Sequence, residues 1–292
     1  MKVLQAAILI FSIISITTAG KLRITDGDKA KVGAYPYQAY LRSASFRGNE
    51  DELFCGATII SDRILLTAAH CISRAIINST KLDMEVVAGV TNRDEPEAMA
   101  VYKVQDFRMH EHYDHVGEKF TVATNDVGLI RVDKPIEFND KVQPIQLSTE
   151  TPKAGSLITS TGWGFTLEDK NAAQRHLNEV KLMVVDRDVC NKKWSRLNIT
   201  IPEDLICVAG QNKGDHSEDH KGLCNGDSGS SNVHNGRLVG VSSAVHFCGD
   251  SYDYPQLLSD VYHHRSWIET NMDREGHKTF LQAIISNVSG KH

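Results

Sequence analysis

Apolar residues along this chain come in short runs, and Gly, Asn, Asp and Pro stand between the runs. Runs of this length are typical of β-strands. We predict strands at 37–42, 57–60, 64–68 and 84–90. A second strand-rich half begins near Leu157, after a polar stretch at 134–144 that is the best candidate for a connector. No helical period longer than a few turns precedes the C-terminal region, so the pattern favours an all-β sandwich or barrel.

The first residues are a predicted secretory signal. Lys2 gives a positive start, residues 3–16 are mostly apolar, and the small residues at 17–19 form a cleavage site. The apolar run is too short for a membrane anchor. We therefore expect residues 1–19 to be removed and the protein to be secreted and extracellular.

Length and charge limit the classes of function. A chain of 292 residues with 41% apolar and 24% charged residues can form one large domain or two small ones. Removing residues 1–23 takes away Lys2, Lys21 and Arg23 and no acid, so the formal charge moves from −5 to −8. Such an acidic chain argues against binding to nucleic acid or to anionic membranes.

Cysteine and histidine side chains are the candidate metal ligands of this chain. An even number of cysteines in a chain routed to an oxidising compartment favours disulfides over a metal site. The histidine-rich stretch 110–115 has Asp114 where a zinc-protease motif needs its second histidine. We expect an exposed polar loop there, with a metal site as the weaker alternative. We expect no metal and no cofactor elsewhere.

Three Asn-x-Ser/Thr sequons stand at Asn78, Asn198 and Asn287. Each one predicts a solvent-facing loop or tail if it carries a glycan.

Three stretches carry residues suited to nucleophilic catalysis. Ser228 stands between glycines and beside Asp227 in the heptapeptide 224–230, for which a polar surface turn is the alternative. His70 follows an apolar strand and could transfer protons near neutral pH, although an isolated histidine there is more often structural. Asp126 precedes another apolar strand, and taken alone it is a turn or cap residue.

Together these stretches closely resemble the chymotrypsin-like serine endopeptidases. The matching motifs are Thr-Ala-Ala-His-Cys at 67–71, Asn-Asp-Val-Gly-Leu at 125–129 and Gly-Asp-Ser-Gly at 226–229. The chain order His, Asp, Ser separates this family from the α/β-hydrolases, whose order is Ser, Asp, His. The resemblance extends from about residue 23 to residue 268. It implies two six-stranded antiparallel β-barrels, with the active site in the cleft between them, and a C-terminal helix.

The resemblance also implies roles for the matching residues. Ser228 would be the nucleophile, His70 the general base and acid, and Asp126 the group that orients His70. The backbone N–H groups of Gly226 and Ser228 would form the oxyanion hole. The expected reaction is hydrolysis of peptide bonds through an acyl-enzyme. A homologue that keeps the scaffold for binding or cascade regulation, with weak or no catalysis, is the alternative, and the intact triad argues against it.

Activation by cleavage after Arg23 is a further implication. A trypsin-like protease would remove residues 20–23 as a short activation peptide, and the new α-ammonium of Ile24 would pair with Asp227. The peptidase domain would then span 24–292. Within it we expect a first barrel at 24–148, a second barrel at 149–260, a C-terminal helix at 261–272 and an extension of unassigned function at 273–292.

The family spacing implies three disulfides. They are Cys55–Cys71, Cys190–Cys207 and Cys224–Cys248. The implied partners are protein or peptide substrates, the activating protease and protein inhibitors of proteases, and the expected state is a monomer.

Substrate preference is predicted from the residues that would form the specificity pocket. Gly222 stands six residues before Ser228, where relatives that cleave after Lys or Arg carry an aspartate. Without that carboxylate a cationic side chain would be desolvated unpaired, so we predict an apolar, chymotrypsin- or elastase-like preference. Leu223 and Val245 would make the pocket apolar, and Gln256 would narrow it or offer a polar contact.

Four serines complete the candidate residues. Ser243 would offer its backbone to an extended substrate, with Ser242 as the alternative. Ser230 and Ser231 stand where the family commonly has glycine and proline after the nucleophile.

Overall fold

The computed structural model describes residues 27–43, 53–78, 84–116, 122–166, 172–210, 222–246, 248 and 251–272. The strands are β1 Asp28–Lys29, β2 Gln38–Ser43, β3 Leu53–Ile59, β4 Ile64–Thr67, β5 Met84–Ala88, β6 Ala100–Met109, β7 Asp114–Val116, β8 Val122–Thr124, β9 Gly128–Val132, β10 Leu157–Gly162, β11 Asn178–Val184, β12 Leu205–Gly210, β13 Ser231–His234, β14 Arg237–Ala244 and β15 Gln256–Asp260. The helices are α1 Ala69–Asn78, α2 Arg187–Trp194 and α3 Arg265–Met272, with 3₁₀ turns at Pro96–Ala98 and Ser195–Leu197. Among these described helices, none is both long enough and apolar enough to cross a membrane.

The strands form two closed antiparallel barrels, which confirms the predicted fold class. The first barrel closes in the order β2-β3-β4-β9-β6-β5, and the second closes in the order β11-β10-β13-β14-β15-β12. Closure pairs both edges of each barrel strand within the sheet. β1 lies within the segment expected for the first barrel, but it pairs with β11 of the second, with Asp28 opposite Glu179.

Strand β11 illustrates how the sequence fixes the barrel wall. Val180, Leu182 and Val184 are buried, whereas Lys181 and Met183 between them are exposed. Side chains along a strand point alternately to opposite faces, so every second residue enters the barrel core. Full burial of one such aliphatic side chain contributes roughly 1.5–3 kcal/mol.

The boundaries of all four predicted strands differ from the structure: those predicted at 37–42 and 64–68 differ by one residue at an end, as Gln38–Ser43 and Ile64–Thr67, and the other two differ by more. The strand predicted at 84–90 ends at Ala88, because Gly89 has a φ of 81° and leaves the extended region. The strand predicted at 57–60 begins earlier, at Leu53, because Leu53 already pairs with Arg42 of β2. The polar stretch predicted as a connector lies between β9 and β10, where the chain passes from one barrel to the other.

The cysteines form the three disulfides Cys55–Cys71, Cys190–Cys207 and Cys224–Cys248. The first joins β3 to the first turn of α1, and the second joins α2 to β12. Bridges of this kind typically contribute roughly 2–5 kcal/mol in secreted domains.

A buried amide joins the two barrels. Gln38 of β2 is 2% exposed, and its Oε1 accepts hydrogen bonds from the Ser231 N–H at 3.1 Å and the Ser231 hydroxyl at 2.6 Å. The hydroxyl of Thr161 donates to the same oxygen at 2.9 Å. Gln38 Nε2 donates to the hydroxyl of Ser230 at 3.3 Å. The two serines that depart from the family pattern therefore contact a glutamine of the other barrel.

We predict that Gln38→Leu lowers the free energy of unfolding by about 1–3 kcal/mol, because it removes the acceptor of the buried Ser231 N–H and the oxygen that the hydroxyls of Ser231 and Thr161 share. Urea denaturation followed by tryptophan fluorescence measures the change. Gln146→Leu is the matched control, since Gln146 is exposed between the barrels. Equal unfolding free energies for both variants would contradict the role of Gln38.

Candidate active site

The first candidate, His70, lies in the first turn of α1. Strand β4 ends at Thr67, and the helix begins two residues later at Ala69. The disulfide from Cys71 to Cys55 ties this turn to β3. His70 therefore follows an apolar strand, as predicted, and it lies in a short helix that begins directly after that strand.

The carboxylate of Asp126 is completely buried and shared between the two barrels. Its Oδ1 accepts a hydrogen bond from the backbone N–H of His70 at 2.8 Å, and its Oδ2 accepts one from Nδ1 of the His70 ring at 2.7 Å. The hydroxyl of Ser243, in β14 of the second barrel, donates to Oδ2 at 2.6 Å. Burial raises the pKa of Asp126, but the charge of His70 and these hydrogen bonds outweigh burial, so the pKa lies below its ordinary value. The side chain is thus held as an anion.

This arrangement selects one tautomer of His70. Because Nδ1 donates to the carboxylate, Nε2 of the neutral ring is an acceptor. The ring is 16% exposed and stands at the edge of the cleft between the barrels. It can therefore take a proton from a group that enters the cleft.

The second barrel also holds the backbone before and at Asp126. The hydroxyl of Ser259 donates to the carbonyl of Asp126 at 2.9 Å. Asp204 accepts the N–H of Asn125 at 2.6 Å and the hydroxyl of Thr124 at 3.0 Å. Asn125 has a φ of 52°, a conformation that asparagine tolerates better than most residues. Sequence reasoning missed these contacts, because each joins residues about 80 or more positions apart.

A second acid–histidine pair lies behind this backbone. Nε2 of His264 is 3.3 Å from Oδ2 of Asp204, and both side chains are buried. Burial raises the pKa of Asp204, but the His264 ring and the donors from Asn125 and Thr124 outweigh burial and bring it below its ordinary value. The loop that carries Asp126 is therefore fixed by an anion of the second barrel.

Ser228 lies in a tight turn that leaves two backbone donors open. The N–H groups of Asp227, Gly229 and Ser230 donate to backbone carbonyls at 3.1, 2.8 and 3.0 Å. Those of Gly226 and Ser228 have no acceptor among the described residues. Gly226 has a φ of 93°, a conformation that favours glycine. These two N–H groups therefore remain available to donate hydrogen bonds.

A cleft of about 250 Å³ joins these elements. It is lined by His70, Arg74, Ala123, Leu223, Cys224, Asn225, Asp227, Ser228, Ser242, Ser243, Ala244 and Val245. The structure thus brings together the candidates of both barrels. Within the part of the chain that the structure describes, the Ser228 hydroxyl makes no hydrogen bond to the His70 ring. Such bonds are often long without substrate and shorten when substrate binds.

Comparisons with known proteins identify the family of this chain. The family model described as Trypsin matches residues 24–268, which is most of the chain. The chain belongs to the trypsin family. Among relatives, it is 32% identical to Chymotrypsin-2 of Vespa crabro over 85% of this chain and 99% of the relative. It is 30% identical to Trypsin epsilon of Drosophila erecta over 85% and 86% of the two chains.

A solved structure agrees with this assignment. Mouse neuropsin, a serine protease expressed in the limbic system of the brain, superimposes with a TM-score of 0.69 at 26% identity. The match covers 85% of this chain and 99% of neuropsin. This trypsin-family protein is therefore a serine endopeptidase, and its substrates are proteins.

The predicted pocket residues fall into two groups. Leu223, Ser243 and Val245 line the cleft. Gly222 and Gln256 lie behind them and are buried. The amide of Gln256 accepts the N–H of Leu223 at 2.6 Å and donates to its carbonyl at 2.8 Å. A Cβ at position 222 would lie 2.6 Å from Nε2 of Gln256. The glutamine therefore fills the space that a side chain at 222 would need.

Asp227 is buried beside the same turn. Its Oδ1 accepts the N–H of Gly164 at 2.8 Å, and its Oδ2 accepts the N–H of Cys224 at 2.9 Å. Among the described residues no cation pairs with it, and burial raises its pKa to about 6 despite these donors. A Cβ on Gly162 would lie 2.0 Å from its Oδ1, so only glycine fits at this position beside the carboxylate.

Several other candidates lie elsewhere. Arg23, Ile24 and Asn287 are outside the described residues, as are residues 211–221 before the pocket. Asn198 is exposed after a 3₁₀ turn, whereas only the backbone of Asn78, at the end of α1, is described.

The histidine-rich stretch 110–115 does not form an exposed loop throughout. His110 packs against the rings of His264 and Trp267, with centroids 5.5 and 4.9 Å away, and residues from Asp114 on form β7. Within the described residues, the sole close group of potential metal ligands is His70 with two disulfide-bonded cysteines, which are not free to bind a metal.

We predict that Ser243→Ala lowers kcat about tenfold, because the Asp126 carboxylate loses a buried donor of the second barrel. Steady-state hydrolysis of a chromogenic peptide measures the effect. Ser242→Ala is the control, since its hydroxyl accepts from Asn232 and does not contact Asp126. A kcat of Ser243→Ala within twofold of the parent would contradict this support of Asp126.

Proposed function

We propose that the protein hydrolyses peptide bonds through an acyl-enzyme on Ser228. His70 is the general base and acid, and Asp126 orients its ring. The observation that carries the proposal is the hydrogen bond from His70 Nδ1 to the buried Asp126, with Ser228 in the same cleft. A serine protease catalytic triad has this arrangement.

The steps balance without a cofactor. Nε2 of His70 takes the proton of the Ser228 hydroxyl as Oγ attacks the scissile carbonyl carbon. The resulting oxyanion accepts the open N–H groups of Gly226 and Ser228, so the donors act where negative charge develops. The tetrahedral species collapses when His70 returns the proton to the leaving amine. Water then attacks the acyl-enzyme by the same proton path and frees Ser228.

Secretion and activation are part of the proposal. Residues 1–19 are a signal peptide, residues 20–23 an activation peptide, and 24–292 the peptidase domain, with the barrels dividing near residue 148. A trypsin-like protease cleaves after Arg23, and the α-ammonium of Ile24 pairs with Asp227. Support comes from the buried Asp227 carboxylate, which has two backbone donors and no cation among the described residues. The active protein is a monomer that protein inhibitors can block.

The proposed preference at the scissile residue is for apolar side chains, not for Lys or Arg. Gly222 supplies no carboxylate, and the neutral amide of Gln256 occupies the space beside it. Leu223 and Val245 add apolar surface to the cleft. A cation in this pocket would lose its water without gaining a partner. Because Gln256 takes up volume, the pocket favours small and medium apolar side chains.

The test of the nucleophile uses a tagged fluorophosphonate and a peptide substrate after cleavage at Arg23. We expect labelling of the parent and none of Ser228→Ala, whose kcat should fall on the order of 10⁵- to 10⁶-fold. Ser266→Ala, an exposed serine of α3, is the control and should be labelled normally. Labelling of Ser228→Ala, or residual kcat within tenfold of the parent, would refute the assignment. An uncleaved chain as active as the cleaved one would refute the activation step.

We predict that Gln256→Ala shifts preference toward large aromatic side chains. The ratio of kcat/KM for a Phe peptide to that for an Ala peptide should rise about tenfold or more, because the truncation frees volume next to Gly222. Gln146→Ala, at an exposed position, should leave the ratio unchanged. A ratio that stays constant in Gln256→Ala would show that this side chain does not limit the pocket.

A further inference from the structure

Arg74 lies one helical turn after His70 on α1. Residues four positions apart share one face of a helix, so Arg74 points along the same side as His70. Both side chains line the cleft, and Arg74 is exposed there. The motif that identifies His70 does not include this arginine, so the family resemblance assigns it no role.

The guanidinium of Arg74 has no hydrogen bond and no ion pair with another described residue. Arg74, Asp126 and Asp114 all act electrostatically on Tyr113. Burial raises the pKa of Tyr113, the charges of Asp126 and Asp114 raise it further, and the charge of Arg74 opposes them. Asp126 is already held by His70 and Ser243. The cleft therefore contains a cation that is available to a ligand.

The edge of β14 indicates where substrate side chains go. β13 pairs with β14 only as far as Val241, whereas β15 pairs with it as far as Ala244. The backbone of Ser242 still bonds to Ser230 and Gly229, so this edge of β14 is open only beyond Ser242, next to the cleft that Ser243, Ala244 and Val245 line. An extended peptide can add to such an edge as a further strand.

Alternation along that added strand separates two subsites. When the scissile residue directs its side chain toward Leu223, the preceding residue directs its side chain to the opposite face. The side of the cleft formed by the first half of the chain is lined by His70, Ala123 and Arg74, opposite Leu223 and Val245 of the second barrel. Ala123 has a short side chain and is 5% exposed, so it leaves room for a longer side chain from the substrate.

The geometry points to Arg74 as a specificity residue that binds an Asp or Glu side chain immediately before the scissile residue. This inference rests on the proposed function of Ser228. A guanidinium can donate two parallel hydrogen bonds to one carboxylate, which makes Arg well suited to this recognition. The site is partly open to water, so the preference should be moderate and should weaken with salt.

The experiment compares peptides that differ only at the residue before the scissile one, with Glu, Gln or Lys there. For the cleaved parent we expect kcat/KM for Glu to exceed that for Gln by roughly fivefold at low ionic strength. Arg74→Gln should bring this ratio close to one, and Arg74→Glu should reverse the order in favour of Lys. Arg196→Gln is the control, because Arg196 is exposed and pairs with Asp253 on the surface.

The outcomes separate this inference from the proposed function. Turnover of the Gln peptide with no preference for Glu, or a preference that survives in Arg74→Glu, would overturn the inference alone. A preference for Glu after the scissile bond instead of before it would also overturn it. Absence of turnover for every peptide, together with absent labelling of Ser228, would overturn the proposed function and this inference with it.

Discussion

The active site depends on one buried charge, the carboxylate of Asp126. Burial alone would favour its neutral form, and three donors from His70 and Ser243 reverse that preference. Those donors come from different barrels, and Ser259 and Asp204 of the second barrel hold the adjoining backbone. The two barrels must therefore be docked before the anion is stable. The correct orientation of His70 therefore requires the correct packing of the two barrels.

The sequence predicts the parts of this site that are local in the chain. Strand positions follow from short apolar runs, and the candidate residues stand in motifs at 67–71, 125–129 and 226–229. Contacts between distant residues carry no such local signal. Gln38 and Ser231 are 193 positions apart, and only the docked barrels show that a serine suits that place. The register shift between Ser242 and Ala244 in β14 is likewise a property of the folded sheet that no residue pattern reveals.

Two pocket residues that are far apart in the sequence, Gly222 and Gln256, lie against each other in the structure. The sequence shows a glycine at 222 and a glutamine at 256, with no reason to connect them. In the structure the glutamine occupies the volume beside Gly222, and its amide is satisfied by the backbone of Leu223. A buried amide with both partners costs little, whereas an unpaired one would destabilise the fold. The shape of the pocket therefore depends on Gly222 and Gln256 together.

The burial of Asp227 makes the stability of the fold depend on pH. The ordinary pKa of this carboxyl is 3.8, and burial raises it to about 6 in the folded chain. Folding therefore takes up a proton between these values. A raised pKa contributes stability that is complete below the ordinary value and is lost as pH rises through about 6. At neutral pH the chain without a cation at this position holds a costly anion, and any ammonium group that reaches it lowers the free energy of the folded state.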